Sequence, residues 1–579
     1  MSATLPFLSL TVRLYGSMSG LSRTAQTLPI LAMFVAIAAA APVARSQQAP
    51  SSPAAPVSAA VAADPILKAM REELDRSRSL LKMENLAAPY YIEYRVADVH
   101  EYDLEAAFGA IREKQNVHAR SLRVVVRVGD YKLDSYSGPG EGVTDFAPLD
   151  DDDPIALRRN LWLATDAAYK RATEALAGKK ASLAQYAAGQ PFDDFAKAPP
   201  LESIGPIVKM DPSMDSWAAA LEKATNLYRT NLKIQSLRGE LRFRVVNQYY
   251  VNTEGSTTRQ GYPFYSVQLD AESQAGDGMK LGRTPSYVES SESELPTPET
   301  LLANAAKALG SLQQLLDAPI VEEDYRGPVL FSADASSDIF NSLIGDNVLG
   351  IRPRIGDSSR AIGDFAASYK NRVLPTFLTV FDDPTMKTFG GKPLIGSYEI
   401  DEEGVRAQAV PLIQDGKLTN YLMSRMPIRD IPDSNGHGRA GPGQAPLPTI
   451  GVLLVKPKDP VSPEDLKKRL IELCKTQDKP YGYYVETMSG LNPRLLYRVY
   501  VNDGRQELVR GAIFDDLDTR ALRNNLVAAG NDPLVSNREG YIPTTIISPS
   551  ILFDELELKR TDQKDAKLPE YPAPALVAH

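Results

Sequence analysis

Residues 122–128 alternate apolar and polar side chains, and this period of two limits most strongly what the chain can fold into. Leu122, Val124, Val126 and Val128 occupy every second position, with arginines at 123 and 127 between them. Successive side chains of a strand point to opposite faces, so this segment predicts a half-buried antiparallel strand. The aromatic and β-branched segment 90–99 predicts another strand.

Helices are predicted around these strands, and the pattern changes beyond residue 317. Helix starts are indicated at Asp64-Pro65 and Thr297-Pro298, and a long helix is predicted from 154 to 177, ending at Gly178. Further along, short apolar segments are separated by Asp/Gly turns, of which Asp415-Gly416 is a strong hairpin signal. The chain is therefore predicted to be α+β, with a layered α/β N-terminal half and a β-rich C-terminal half.

The length of 579 residues is too great for one compact core, which predicts two domains. We place the N-terminal domain at 63–317 and the C-terminal domain at 318–560. The polar and then Pro/Ala-rich residues 561–579 predict a disordered tail.

Residues 1–46 resemble a secretory signal peptide. Positions 28–41 form an apolar run of about fourteen residues, short of the roughly 20 that span a bilayer, and arginines precede it. Translation from Met18 and retention as an uncleaved anchor are the alternatives. Residues 47–62 predict a flexible tether, and no later segment is apolar enough to span a membrane. We expect a mature extracytoplasmic protein, periplasmic after cleavage of the leader.

Composition excludes several function classes. A net charge of −9 argues against nucleic acid as a partner. The single cysteine, Cys474, excludes an internal disulfide and lies on the apolar face of a predicted helix, where core packing is expected. The four histidines leave little material for a His-based metal site or catalytic triad.

Several segments, in a fixed order, resemble the TldD/PmbA (TldE) family, also called peptidase family U62. They are Asn-Thr-Glu-Gly at 252–255, Phe-Asp-Asp-Pro-Thr-Met at 381–386, Asp-Glu-Glu-Gly at 401–404, Gln-Asp-Gly-Lys-Leu at 414–418 and Ser-Asn-Gly at 434–436 with Arg439. The closing segment has Gly511 and Gly-Asn-Asp at 530–532. The resemblance implies an α/β N-terminal domain and a C-terminal domain built on a curved antiparallel sheet.

The resemblance also implies a zinc site, because the active branch is similar to peptidases with a His-Glu-x-x-x-His helix and a distal cysteine. In this chain Ser332 and Ser337 take the histidine positions, Ala333 takes the glutamate position, and the cysteine position falls near Ser536. Hydroxyls are poor zinc ligands at neutral pH, since zinc prefers imidazole, thiolate and carboxylate donors. We therefore expect no catalytic residue and no zinc there, as in the TldE branch, whose members partner the metal-bearing TldD subunit.

Four other residues are candidates for lining a binding cleft: Asp334, Asp338, Asn435 and Arg439. The two aspartates stand four apart on a predicted helix, so they could offer oxygen ligands to Ca²⁺ or Mg²⁺, or simply stabilise the helix start.

Asn435 and Arg439 lie in or beside residues 436–441, whose letters match Gly-x-Gly-x-x-Gly. Flanking prolines exclude the helix that dinucleotide binding requires. A mobile loop is expected instead, able to close over a peptide, with His437 exposed and Arg439 either exposed or meeting a carboxylate.

The leading hypothesis is a catalytically degenerate, extracytoplasmic family member that binds a peptide, a TldD-like paralogue or a second copy of itself. The first alternative is an active metallopeptidase with an unorthodox metal site around Asp334 and Asp338, or with ligands supplied by a partner. The second is a purely structural envelope protein, which predicts no peptide-sized cleft beside Ser332 and Ser536.

Overall fold

The computed structural model describes residues 58–138, 141–150, 153–185, 192–231, 233–357 and 359–561, and all of them lie in one compact unit. The expected leader and the tail beyond 561 lie outside the described residues. The helices are α1 (Ala59–Ala63), α2 (Pro65–Leu80), α3 (Pro154–Gln185), α4 (Met214–Thr225), α5 (Pro298–Asp317), α6 (Ala333–Leu343), α7 (Pro463–Thr476) and α8 (Thr519–Asn524).

The strands fall into two series along the chain. The first series is β1 (Pro89–Ala107), β2 (Ala110–Val128), β3 (Val143–Phe146), β4 (Glu202–Ile204), β5 (Ser236–Asn252), β6 (Thr257–Gln274), β7 (Lys280–Arg283) and β8 (Ser286–Glu289). The second series is β9 (Tyr325–Phe331), β10 (Leu378–Asp382), β11 (Thr388–Phe389), β12 (Lys392–Pro393), β13 (Val410–Gln414), β14 (Lys417–Leu418), β15 (Gly438–Arg439), β16 (Leu447–Pro448), β17 (Val452–Pro457), β18 (Tyr481–Ser489), β19 (Asn492–Tyr500), β20 (Gln506–Val509), β21 (Ala512–Phe514), β22 (Leu526–Ala529), β23 (Leu534–Arg538), β24 (Thr544–Ser548) and β25 (Ile551–Arg560).

Local capping determines where several helices begin. Asp64, Thr297 and Ser462 each precede a proline at the first helical position, and each side chain accepts a hydrogen bond from a backbone N–H of the first turn. A capping side chain satisfies one of the amides that have no partner within the helix. The two helix starts that the sequence indicates, at Asp64-Pro65 and Thr297-Pro298, are confirmed.

The predicted stop of α3 at Gly178 is wrong, because the helix continues to Gln185. Gly178 lies at an open position on the helix surface. A glycine inside a helix costs only about 1 kcal/mol relative to alanine, so it does not have to end the helix. In the next turn the buried Lys179 ammonium lies 2.6 Å from an Asp194 carboxylate oxygen. This tertiary ion pair stabilises the additional helical turns.

The first series of strands forms one sheet in the order β3-β2-β1-β5-β6-β4, with β7 and β8 also pairing with β6. Alternate residues of β1 divide between its two faces. On one face, Ile92, Tyr94 and Val96 pack with apolar residues of α2 and α3, and Leu104 and Ala106 pack with residues of α4 and α5. The other face of the sheet contacts the C-terminal half.

The second series forms a six-stranded sheet (β14-β13-β10-β17-β24-β23) and a seven-stranded sheet (β20-β19-β18-β9-β25-β21, with β22 on β25). Among the described strands, three neighbouring pairs are parallel and the rest are antiparallel. Helix α6 contacts β18 of one sheet and β23 and β24 of the other. Mixed helices and open, mainly antiparallel sheets confirm the α+β fold class.

The end of the expected flexible tether is helical. Ser58 caps α1, and Val61 is only 2% exposed within the core formed with α2 and α3. Burial of this one valine explains why residues 59–62 are ordered despite their Ala-rich composition. In the described part of the chain, no helix is both long and apolar enough to cross a bilayer.

Candidate functional site

Ser332 lies at the junction between the buried strand β9 and helix α6. Its Oγ accepts a hydrogen bond from the Ala335 amide at 3.1 Å and donates to the Glu486 carbonyl at 2.6 Å. The first bond caps α6, and the second fixes the helix start to β18. Ala333, which follows, is 8% exposed and presents only a methyl group.

Ser337 lies one turn further along α6 and is 1% exposed. Its hydroxyl donates to the Asp334 carbonyl at 2.7 Å and accepts from Nη2 of Arg538 at 2.8 Å. The same Nη2 lies 2.8 Å from a carboxylate oxygen of Asp338. The Arg538 guanidinium therefore lies between β23 and the middle of α6 and links the two elements.

Ser536 lies on β23 opposite Ile546 of β24. Residues two apart on a strand share a face, so Ser536 is on the same face as Arg538, which contacts α6. Ser336 holds the other side of the helix, because its hydroxyl lies 2.9 Å from Ser548 Oγ and donates to the Pro549 carbonyl at 2.6 Å. The fold thus brings α6 and the strand of Ser536 into one packed layer.

A cleft of about 550 Å³ opens at the start of α6. Its walls come from α6, α7, β18 and the loop before β23, with these charged and polar residues among its lining: Ser332, Asp334, Lys467, Tyr484, Glu486, Asp532 and Ser550. Three carboxylates face one ammonium, so the cleft is acidic. Burial, reinforced by the nearby Asp338, raises the pKa of Asp334. A pocket of this size accommodates a few residues of a peptide.

The glycine-rich segment lies away from this cleft and is packed against the rest of the protein. His437 is fully buried, with Nε2 3.1 Å from Asp382 and Nδ1 3.0 Å from the Asn435 carbonyl, so its predicted exposure is wrong. Arg439 is 5% exposed, donates to Glu402 at 2.7 Å and stacks on the ring of Tyr398. The partners of both side chains, Asp382 and Glu402, are distant in sequence, so the local glycine pattern could not reveal them.

Asn435 has a similar structural role. Its side-chain oxygen accepts from the Met423 amide at 2.7 Å, and its side-chain nitrogen donates to the Tyr421 carbonyl at 2.8 Å. The structure therefore places Asp334 on the cleft, pairs Asp338 with Arg538, and uses Asn435 and Arg439 in internal hydrogen bonds.

Two of the motif segments meet around Arg425, a residue that sequence reasoning missed. Its guanidinium is completely buried, donates to the Ala196 carbonyl and lies 2.8 Å from Glu254 Oε1. Its amide donates to Glu403 at 2.6 Å, and Tyr250 donates to the Glu403 carbonyl at 3.0 Å. The segments 252–255 and 401–404 thus join the first sheet to the C-terminal half.

The comparison with known protein families agrees with this architecture. Residues 324–560, from β9 to the end of β25, match a family model described as the PmbA/TldA metallopeptidase C-terminal domain. This C-terminal part of the chain belongs to the TldD/PmbA family.

Curated relatives match shorter segments of the chain. A metalloprotease of Methanothermobacter thermautotrophicus is 35% identical over 83 residues, which are 14% of this chain and 17% of the relative. The metalloprotease PmbA of Escherichia coli O157:H7 is 28% identical over 146 residues, which are 25% of this chain and 29% of the relative. The match therefore spans less than a third of either relative.

Solved structures match nearly the whole chain at low identity. TldE from Thermococcus kodakarensis aligns with a TM-score of 0.54 and 13% identity, over 85% of this chain and 99% of that one. A proposed modulator of a DNA gyrase from Thermotoga maritima MSB8 aligns with a TM-score of 0.55 and 16% identity, over 84% of this chain and all of that one. At these identities the likeness establishes the two-domain fold of the family.

Proposed function

We propose that this TldD/PmbA-family protein is a non-catalytic, extracytoplasmic subunit that binds peptide beside α6 and associates with a metal-bearing paralogue or a second copy of itself. The proposal rests chiefly on Arg538, whose guanidinium contacts Ser337 and Asp338 where the family resemblance implies a zinc site.

The side chains at the implied ligand positions are poor zinc donors and are already engaged. Ser332 uses its hydroxyl to cap α6 and to bind the Glu486 carbonyl, and Ser337 bonds to the Asp334 carbonyl and to Arg538. Ala333 offers no base for activating water. Among the described residues, the group of His, Cys, Asp or Glu side chains that lies close enough to share an ion is Asp98, His100 and His118, on β1 and β2 and away from α6.

Arg538 adds an electrostatic argument against a cation at this position. A guanidinium remains charged at any physiological pH, and its attraction to Asp338 already neutralises that carboxylate. A divalent ion placed beside it would be repelled, strongly so in a partly buried site. This also weakens the alternative of an active peptidase with a metal held between Asp334 and Asp338.

The cleft supports the peptide-binding part of the proposal and disfavours a purely structural role. Asp334, Glu486 and Asp532 outnumber Lys467 along its walls, which favours a peptide with basic side chains. Strand β23, whose Leu534 also lines the cleft, is the edge strand of the six-stranded sheet. An extended peptide could align with such an edge.

Export and association are supported by sequence and fold together. The leader pattern in residues 1–46 and the single buried thiol suit an oxidising compartment. The fold shared with TldE makes a TldD-like paralogue the first partner to test.

The peptide proposal is tested with the full mature chain and a fluorescent, unfolded basic peptide. We expect saturable binding that Asp334→Asn weakens several-fold, whereas Asp75→Asn, at an exposed position on α2, leaves it unchanged. Binding that is indifferent to Asp334→Asn would contradict the assignment of the cleft.

The non-catalytic proposal is tested with casein and unfolded peptides, with and without chelator, using both the wild type and a His100→Asn/His118→Asn variant. We expect no chelator-sensitive cleavage from either protein. Cleavage that survives loss of the two histidines and disappears with chelator would establish the active-peptidase alternative. Isolation of a lone monomer from the native source would contradict the subunit model.

A further inference from the structure

A polar cluster interrupts the helix-covered face of β1. The apolar residues of β1 under α2 and α3 end at Val96, and those under α4 and α5 begin at the partly buried Tyr102. Asp98 and His100 lie on the same face between them, in a gap between the two helical layers. Antiparallel pairing places His118 of β2 directly opposite His100 and places Arg120 opposite Asp98.

The three possible ligands are close together. The His100 and His118 rings are stacked with centroids 3.7 Å apart, and His118 Nε2 lies 3.0 Å from Asp98 Oδ1. His100 Nε2 lies 3.7 Å from the same carboxylate oxygen. One ligand atom from each of the three residues lies within 4.8 Å of the other two.

We propose that Asp98, His100 and His118 form a binding site for a divalent transition-metal ion of the Zn²⁺ type. Two imidazoles and one carboxylate are donors that zinc prefers, and three protein ligands leave a fourth tetrahedral position for water. Zinc–ligand distances of about 2.0–2.2 Å place neighbouring ligand atoms roughly 3.4 Å apart. The two measured nitrogen–oxygen separations fall on either side of that value.

Arg120 orients the Asp98 carboxylate by hydrogen bonds to one of its oxygens. It donates to Asp98 Oδ2 from Nε at 2.8 Å and from Nη2 at 2.6 Å. Oδ2 also lies 3.2 Å from His118 Nε2, and Oδ1 is the nearer oxygen to that nitrogen, at 3.0 Å. Hydrogen bonds to the outer oxygen orient a ligating carboxylate in metal sites generally. The Arg120 charge opposes an incoming cation, as that of Arg538 does at α6. Arg120, however, bonds to Oδ2 of the carboxylate, whereas Arg538 bonds directly to Ser337 at an implied ligand position. A hydroxide or other anion at the open position would reduce the remaining repulsion.

The site is accessible from solvent. The side chains of His100 and His118 are 39% and 35% exposed, whereas that of Asp98 is 11% exposed. An ion can therefore enter without opening the core. The stacked rings must rotate about their terminal side-chain torsions to direct both lone pairs at one ion, and these torsions are soft in histidine.

This site is separate from the implied zinc position at α6 and does not depend on the proposed function. The helix-covered face of the first sheet carries the cluster, whereas its opposite face contacts the C-terminal half through residues such as Tyr91 and Tyr250. Zinc at the cluster and an empty α6 site are compatible.

The test is a Zn²⁺ titration of the full mature chain carrying no added histidine tag, by calorimetry and by equilibrium dialysis. We expect one ion per chain, and about 100-fold weaker binding in His100→Asn/His118→Asn. Asn116→Ala, at a non-ligand position two residues along β2, should bind like the wild type. Circular dichroism verifies that each variant is folded.

A second measurement uses Co²⁺ as a spectroscopic probe. Binding at a tetrahedral nitrogen–oxygen site should produce visible d–d absorption that the double variant lacks, whereas Mg²⁺ and Ca²⁺ should not compete. Equal Zn²⁺ affinity in the wild type and the folded double variant would overturn the proposal, as would the absence of stoichiometric Zn²⁺ binding by the wild type.

Discussion

Arg425 and Glu254 form an ion pair of 2.8 Å between a completely buried guanidinium and a carboxylate from the turn after β5. The guanidinium also lies over the ring of Phe195 with its carbon 4.0 Å from the ring centre. The pair joins the first sheet to the segment between β14 and β15. Motif residues that resemble a family signature therefore serve here to hold two halves of one chain together.

Arg425→Ala should destabilise the protein strongly. It leaves Glu254 and the Ala196 carbonyl without their cation, and breaking a buried ion pair typically costs about 3–5 kcal/mol. Urea unfolding measures the loss. The matched control is Arg326→Ala, whose side chain is 60% exposed and pairs with Glu555, and which should cost less than about 0.5 kcal/mol. Equal losses in the two variants would contradict this role.

The stability of the protein should depend on pH through Glu403. Burial raises the pKa of this carboxyl from 4.5 to about 7, and burial also raises the pKa of the adjacent Asp401. Between those two pH values the folded protein binds more protons than the unfolded chain, so Glu403 makes the free energy of unfolding fall as pH rises from 4.5 to 7.

Glu403→Gln removes this titration, so the variant should lose less stability than the wild type between pH 5 and pH 8. One pKa unit corresponds to about 1.4 kcal/mol, which predicts a difference of roughly 1–3 kcal/mol. Thermal melts across this pH range provide the measurement, with the exposed Glu323→Gln as control. A variant whose pH profile parallels that of the wild type would disprove the assignment.

Arg538 should decide whether α6 can bind zinc. Ser332→His/Ser337→His should bind the ion poorly while the guanidinium remains, and adding Arg538→Ala should improve affinity at least about tenfold by removing the repulsion. Competition with a chromophoric chelator measures both proteins in a His100→Asn/His118→Asn background, and a thermal melt verifies folding. Equal affinities would show that Arg538 does not exclude the ion.

Ser332→Ala should cost about 1 kcal/mol, because it removes the hydroxyl that caps α6. Ser332→Thr keeps a hydroxyl and should recover most of the loss in chemical unfolding. Ser462→Ala removes the equivalent cap of α7 and should cost a similar amount. No loss on Ser332→Ala would mean that the bonds of this hydroxyl contribute nothing to α6.

The Cys474 thiol should be unreactive in the folded protein. It is completely buried, and burial raises its pKa to about 11, so almost no thiolate is present at neutral pH. A disulfide reagent such as DTNB should label it only in urea. Stoichiometric labelling of the native protein within minutes would contradict this placement.

Sequence patterns correctly predicted the features that depend only on neighbouring residues, such as helix starts and a hairpin turn. Asp64-Pro65 and Thr297-Pro298 start helices because a side chain and its own first turn suffice to form a cap. Asp415-Gly416 forms the hairpin turn with positive φ at both residues, a conformation that these two residue types adopt readily. The helix end predicted at Gly178 was wrong, because the ion pair between Lys179 and the distant Asp194 outweighs the local preference of glycine for a helix end.

The sequence by itself determined the fold class, the family resemblance and the identity of the groups on α6, because alternation, caps and motif order are properties of neighbouring residues. Only the tertiary structure decided that His437 and Arg439 are buried, that Arg538 contacts Ser337, and that Arg425 joins Glu254 to Glu403. It also decided that His100 and His118 are adjacent, since their contact follows from strand register. Pairings between residues far apart in the chain depend on how whole sheets pack, and no local preference encodes them.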